Sequence, residues 1–324
     1  MMSATLSVLV YLLFIQAGAE EAPVPPKLLT PSSIRNVLAP PFTSWGNPAC
    51  DKDGNMYFHV GDFIKWEILR LSADGSQGNI LKVSDQFPGA SKFGFFDFSV
   101  TPGGNVYVLG GTPEHEIMLL RFDQDGSMSQ RTTLRVPKSV IPMIIVATED
   151  RTFLFFGYYD HTAPSDLKGT SYMVLLDESG AVRGEIHATV PGLDVAKLSG
   201  GEGAPPGALG DDGNFYFAGS NQILVMAQDG ELLRRIPFDN PYPKSKATGL
   251  HVSGGLIIIN LVRVDDHQAR MRYLVLLNSG GVVGYYEASK ELGGWPATCY
   301  SARGEWTFLK VENRQLKLLT VRLQ

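Results

Sequence analysis

The sequence predicts an all-β fold, a six-bladed β-propeller whose last blade is closed by an N-terminal strand. Three observations carry this expectation. A turn-and-strand unit recurs six times at a mean spacing of roughly 50 residues, within the range of propeller blades. Each unit opens on a turn containing Gly or Asp, followed by aromatic and β-branched residues. No segment keeps a long amphipathic helical period, and Ser289 to Gly293 has room for one helical turn at most.

The units follow in order. The first opens at Asp51-Lys52-Asp53-Gly54-Asn55 and runs into Met56-Tyr57-Phe58; its partner strand, Trp66 to Leu71, stops at Ala73-Asp74-Gly75. The second opens at Thr101-Pro102-Gly103-Gly104-Asn105, with a partner strand from Ile117 to Phe122 and a stop at Gln124-Asp125-Gly126. The third is degenerate, with Thr148-Glu149-Asp150-Arg151 in place of the Gly-Asn pair. The fourth, Asp211-Asp212-Gly213-Asn214-Phe215-Tyr216-Phe217, is the clearest, and it stops at Gln228-Asp229-Gly230. The fifth opens at Ser253-Gly254-Gly255 and the sixth at Ala302-Arg303-Gly304. The last unit reaches Gln324 after its third strand, whereas blades usually have four. Ser33 to Ala39 has strand character and no blade of its own. It is therefore expected to supply the missing outer strand and remove an open edge.

Composition agrees with one large β domain. The chain has 324 residues, 44% of them hydrophobic, with 35 Gly and 20 Pro. That supports a sizeable core and many tight turns. Only 19% of residues are charged and the net charge is −5, so the basic footprint of a nucleic-acid partner is missing. Arg234, Arg235, Lys244 and Lys246 form a loose basic group that reads as solvated surface. Leu6 to Ile15 is an apolar run followed by Ala17-Gly18-Ala19, the pattern of a cleaved secretory signal, although no Lys or Arg precedes it. The expected organisation is a signal peptide over 1–19, a Pro-rich leader over 20–31 and the propeller over 32–324. The mature chain is then secreted or periplasmic, with no membrane span.

The pattern Asp-x-x-Gly-Asn-x-Tyr-Phe, followed by a strand and an Asp-Gly stop, resembles NHL-type repeats. The resemblance extends from about Asn47 to Gln324 and implies a six-bladed propeller of an exported bacterial type. It says little about activity. Some propellers of this kind are gluconolactonase-like hydrolases that hold a divalent cation at the channel centre. Others, the peptide-amidating lyases, use histidine-bound zinc.

Function in propellers sits on the loops at the channel mouth. Aligning the units places Asn47, Asp97 and Thr248 near the start of inner strands, with His251 further along. Glu202 lies in the Gly-rich segment Leu198 to Gly207, read as a connection rather than as an anion cradle. Asn47, Asp97, Glu202, Thr248 and His251 are the candidate ligand-binding residues. Asp97, Glu202 and His251 are the candidate ligands for a divalent cation, which would suit oxygen donors and polarise a carbonyl. No cofactor is otherwise evident. Tyr158, Tyr159, Tyr242 and Trp295 either build a binding face or fill gaps between blades.

Cys50 and Cys299 can pair in an oxidising compartment, closing a very long loop worth roughly 4–5 kcal/mol. Two separate buried thiols are the alternative. The aligned units set the pair out of register by about one position. Neighbours along a strand face opposite sides, which weighs against an easy bridge. Two functional classes remain: a binding or scaffold module for a peptide, glycan or protein, and a channel-centred hydrolase or lyase. No Gly-x-Ser-x-Gly elbow or convincing Ser-His-Asp set is present, which favours the first and leaves catalysis undecided.

Overall fold

The computed structural model describes residues 25–37, 48–61, 66–76, 78–86, 94–112, 114–186, 207–219, 221–241, 245–263, 271–292, 297–300, 304–312 and 315–323. They form six sheets arranged as a six-bladed β-propeller. Blade 1 runs from inner to outer strand through Ala49–Cys50, Met56–Gly61, Trp66–Leu71 and Gly78–Lys82. Blade 2 comprises Gly94–Val100, Val106–Gly111, Ile117–Phe122 and Met128–Thr133. Blade 3 comprises Val140–Ala147, Phe153–Tyr159, Ser171–Leu176 and Val182–Glu185. Blade 4 comprises Gly207–Leu209, Phe215–Ala218, Gln222–Met226 and Leu232–Pro237. Blade 5 begins with Ser245–Ser253, Leu256–Arg263, Arg272–Leu277 and Val282–Ala288.

Blade 6 takes three strands, Ala297–Tyr300, Glu305–Glu312 and Gln315–Arg322, from the end of the chain. Its fourth is Ser33–Val37, antiparallel to the last strand with Ser33 opposite Thr320 and Val37 opposite Leu316. The expected closure is therefore present. One strand was not legible in advance. Lys27–Leu29, inside the segment expected to be an extended leader, adds a fifth, parallel strand to blade 5, with Leu29 buried beside Ala288.

The core is divided among the junctions between blades. Each of six hydrophobic clusters straddles one pair of neighbours, such as Tyr107, Leu109, Phe153 and Phe155 between blades 2 and 3. A sheet that buries both faces needs near-continuous apolar runs, and Phe153–Tyr159 and Leu256–Arg263 supply them.

The recurring turns lie at one end of the ring and lock neighbouring blades together. Asp51 shows why the motif has its form. Its Oδ1 accepts from the N–H groups of Asp53 (3.0 Å) and Asn55 (2.9 Å), and its Oδ2 from Asn55 Nδ2 (2.8 Å) and Tyr57 Oη (3.0 Å). The Lys52 N–H then donates to Pro102 O at 3.0 Å, tying blade 1 to blade 2. Gly103 N–H donates to Glu149 of blade 3, and Gly254 N–H donates to Asp211 Oδ2 at 2.6 Å, joining blades 4 and 5. In the degenerate third turn Arg151 takes the left-handed position, with φ 62°, that Gly54, Gly104 and Gly213 hold elsewhere.

Candidate functional site

The opposite end of the ring, where inner strands begin, is the candidate functional face. In blade 2 the inner strand is bulged between Phe95 and Asp97, which frees Phe96 from the pleat. Phe96 covers Gly111 and Gly94 yet remains 40% exposed. In blade 3, Ile141 pairs with Tyr158 and is 46% exposed. Tyr158 rests edge-on against Phe156, with ring centroids 5.0 Å apart, and Tyr159 against Tyr172 at 5.5 Å. Both tyrosines are half-buried, so they fill gaps while also showing an edge to solvent. Tyr242 and Trp295 lie outside the described residues.

Asp97 points from blade 2 at blade 3. Its Oδ2 accepts from the Ile145 N–H at 3.0 Å, and two residues along the strand Ser99 Oγ accepts from the Ala147 N–H at 3.0 Å. Burial pushes the Asp97 carboxyl up to about 7, while the N–H groups of Ile145 and Phe98 pull it back towards ionisation. A carboxyl poised there has the acidity of a general acid or base. One of its oxygens, however, is already committed to the junction.

In blade 5 the inner strand is bulged between Ala247 and Gly249, leaving Thr248 exposed. Gly249 is required locally, because a Cβ there would stand 2.5 Å from Asn260 Nδ2. Asn260 is 1% exposed, and its Oδ1 meets no hydrogen-bond donor among the described residues. His251 pairs with Ile258 and is part-buried. Thr248 and His251 thus share one wall, whereas Asp97 is on blade 2, three blades away around the ring. Asn47 and Glu202 lie outside the described residues, as does nearly all of the Gly-rich segment. Among the described residues no group of three His, Cys, Asp or Glu side chains is placed to hold a metal ion. No helix among them is long and apolar enough to cross a membrane.

Cys50 and Cys299 are joined by a disulfide, with Cα atoms 5.9 Å apart. The one-position offset does not oppose it. Blades stack face to back, so a residue pointing forward from one inner strand meets a residue of opposite parity on the next. Ser99 and Ala147 show the same offset between blades 2 and 3. Ser99 and the exposed Phe96 and Ile141 were not singled out from sequence. The signal for Ser99 was its match in register to Cys299.

No family model matches the chain, and no curated protein does, so the resemblance to NHL-type repeats rests on the turn motif alone. Solved structures do match in fold. A protein of Bacteroides fragilis assigned as exported is 10% identical, covers 90% of this chain and 94% of its own, and superposes with a TM-score of 0.55. A gluconolactonase of Xanthomonas campestris is 14% identical, covers 92% of this chain and 95% of its own, and superposes with a TM-score of 0.52. At 10% and 14% identity the likeness is one of fold and says nothing further about this chain.

Proposed function

We propose that this protein is an exported binding module that takes a peptide, glycan or protein partner on the face where its inner strands begin. One observation supports this reading above the others: around the inner strands the two ends of the ring are used differently, the exposed Leu233, Leu277 and Val282 of the turn end lying on third and fourth strands. At one end the turns spend their polar groups on neighbouring blades, as Asp51, Gly103 and Asp211 do. At the other end Phe96 and Ile141 hold apolar side chains out to water on adjacent blades. Exposed apolar and aromatic groups are what recognition surfaces use. The hydrolase reading depends on Asp97, Glu202 and His251 converging on a cation, and Asp97 already serves a junction.

The test is binding of the purified chain to peptide and glycan arrays, with a parallel metal analysis. Phe96→Ala combined with Ile141→Ser is expected to weaken any captured ligand by about tenfold or more. Asp53→Ala, at the turn end, is expected to leave binding unchanged. A stoichiometric divalent ion that is lost in Asp97→Asn or His251→Ala would overturn this reading in favour of the metal-assisted enzyme.

A further inference from the structure

Blade 5 differs from the others at its outer edge. In the other five blades the fourth strand carries an exposed basic residue: Lys82 in blade 1, Arg131 in blade 2, Arg183 in blade 3, Arg234 and Arg235 in blade 4, and Arg35 in blade 6. Charges of that kind keep a strand edge from recruiting another chain. Val282–Ala288 carries no Lys or Arg. Its one charged residue, Glu287, is 7% exposed and bonded to Arg272 at 3.0 Å. Val282 and Val283 are 50% and 40% exposed. The bulge beside them does not stand in for the charge, because blades 2, 3 and 4 have the same bulge and a basic residue as well.

What covers this edge is Lys27–Leu29, and it covers less than half. It pairs with Tyr286, Glu287 and Ala288, and Val282, Val283 and Gly284 lie beyond its register. Lys27 brings a basic residue but holds it over the Tyr286 ring, 5.8 Å from the centroid. Main-chain groups that face an adjacent strand recur every second residue. Counting back from Leu29, the next such positions are Lys27 and Pro25, and Pro25 has no N–H to donate. The strand is therefore stopped short of Val282. Its hold is also slight. Leu29 is buried and its carbonyl accepts from the Ser289 N–H at 3.0 Å, whereas Leu28 is 62% exposed.

We propose that the outer edge of blade 5 is a docking site for an extended strand of a partner polypeptide, with Lys27–Leu29 as the plug that this strand displaces. The edge already accepts one strand, so the partner uses a pairing that the fold makes for itself. A strand along Val282–Ala288 pairs over seven residues in place of three, and its alternate apolar side chains cover Val282 and Val283. The partner segment is uncharged along the contact and free of proline. The site lies on the perimeter of the ring, apart from the inner-strand face that carries Phe96 and Ile141.

The probe is a fluorescein-labelled peptide, Lys-Thr-Val-Thr-Val-Thr-Val-Thr-Lys, followed by fluorescence polarisation with the purified full chain. Leu29→Ser loosens the plug and is expected to tighten capture by about tenfold, because the open edge is then populated more often. Val283→Lys supplies the missing charge and is expected to weaken capture by about tenfold or more, in the natural chain and in Leu29→Ser alike. A probe with proline at its centre is expected not to bind. Phe96→Ala with Ile141→Ser is expected to leave capture unchanged, which keeps this test separate from that of the inner-strand face. Absence of saturable capture by both the natural and the Leu29→Ser proteins, or capture indifferent to Val283→Lys, overturns the proposal. So does a Leu29→Ser protein that forms dimers and ignores the probe, since a second copy is then the occupant. If Leu29→Ser does not fold, the natural chain with and without Val283→Lys decides the matter.

Discussion

Cys299 reaches Cys50 from the same register in which Ser99 accepts a hydrogen bond, 3.0 Å long, from the Ala147 N–H. In each pair the second residue before a blade's first turn contacts the last residue before the turn of the next blade. One junction uses a covalent bond and the other a hydroxyl for the same task, drawing together inner strands that share no sheet. Asp97 adds a second contact of this kind between blades 2 and 3.

The covalent version is expected to matter most. The bridge spans 249 residues of sequence, so its loss releases unfolded-chain entropy worth about 5 kcal/mol, less any relaxation. Cys50→Ala with Cys299→Ala should lower the unfolding midpoint accordingly. Cys50→Ala with Cys299→Ser rebuilds the Ser99–Ala147 arrangement and should recover about 1 kcal/mol. Urea titration of both variants checks this, and equal midpoints would remove the equivalence.

Asp97 should leave a signature in the pH dependence of stability. Its folded value of about 7 lies above the unfolded carboxylate value of about 3.9. Between these values the folded state holds more protons than the unfolded state. Stability attributable to this group is therefore full below pH 4, falls as pH rises through the window to 7, and is level above it. Asp97→Asn keeps an acceptor for Ile145 and should flatten that slope. Melting temperatures from pH 4 to 8 that run parallel in the two proteins would refute the assignment.

The two N-terminal strands should contribute unequally. Starting the chain at residue 40 removes the five pairs that Ser33–Val37 makes with blade 6 and uncovers Leu316 and Leu318. More than about 3 kcal/mol should be lost, with aggregation through the bared edge. Starting it at residue 31 removes only the three-residue parallel strand, whose main anchor is the buried Leu29, and should cost about 1.5–3 kcal/mol. Calorimetry of both truncations checks the order, which would be wrong if the shorter truncation did more damage.

The third turn offers a smaller test. Arg151 is an L-residue at φ 62°, a conformation that costs about 1–2 kcal/mol outside glycine. Its pairing with Glu178 at 2.9 Å is exposed and offsets at most about 1 kcal/mol. Arg151→Gly should be as stable as the natural chain or more so by about 1 kcal/mol, while Arg151→Ala should be less stable. The reverse order of urea midpoints would mean that the ion pair outweighs the strain.

What could be read from sequence was what depends on chain-local chemistry. The Asp51 turn is spelled out by residues at most six apart, so its recurrence disclosed the blades and their count. Contacts between blades were harder, because they depend on how sheets stack. The cysteine offset looked unfavourable when judged within a single strand, and it is favourable once sheets lie face to back. Lys27-Leu28-Leu29 is too short and too close to prolines to announce a strand, and it forms one because blade 5 presents an edge. Asp97 was read as a pore ligand, and its Oδ2 also meets the Ile145 N–H of the next blade. Sequence alone gives no sign of that partner, which lies 48 residues away.

The wall of blade 5 gives the sharpest local test. Gly249 has ordinary backbone torsions, so its constraint is steric: an added Cβ would stand 2.5 Å from Asn260 Nδ2 and 3.2 Å from Asn260 Cγ. Gly249→Ala should therefore destabilise by about 1–3 kcal/mol, the usual range for overpacking. Asn260→Ala removes the obstructing carboxamide together with an Oδ1 that finds no donor among the described residues, so it should cost little. In the double variant the new methyl enters the space that Asn260 leaves. The two effects should then fall short of their sum by about 1 kcal/mol or more, as for residues in direct contact. Urea unfolding of the four proteins closes the cycle. Additivity within about 0.5 kcal/mol would show that the bulge, and not Asn260, is what demands glycine at this position.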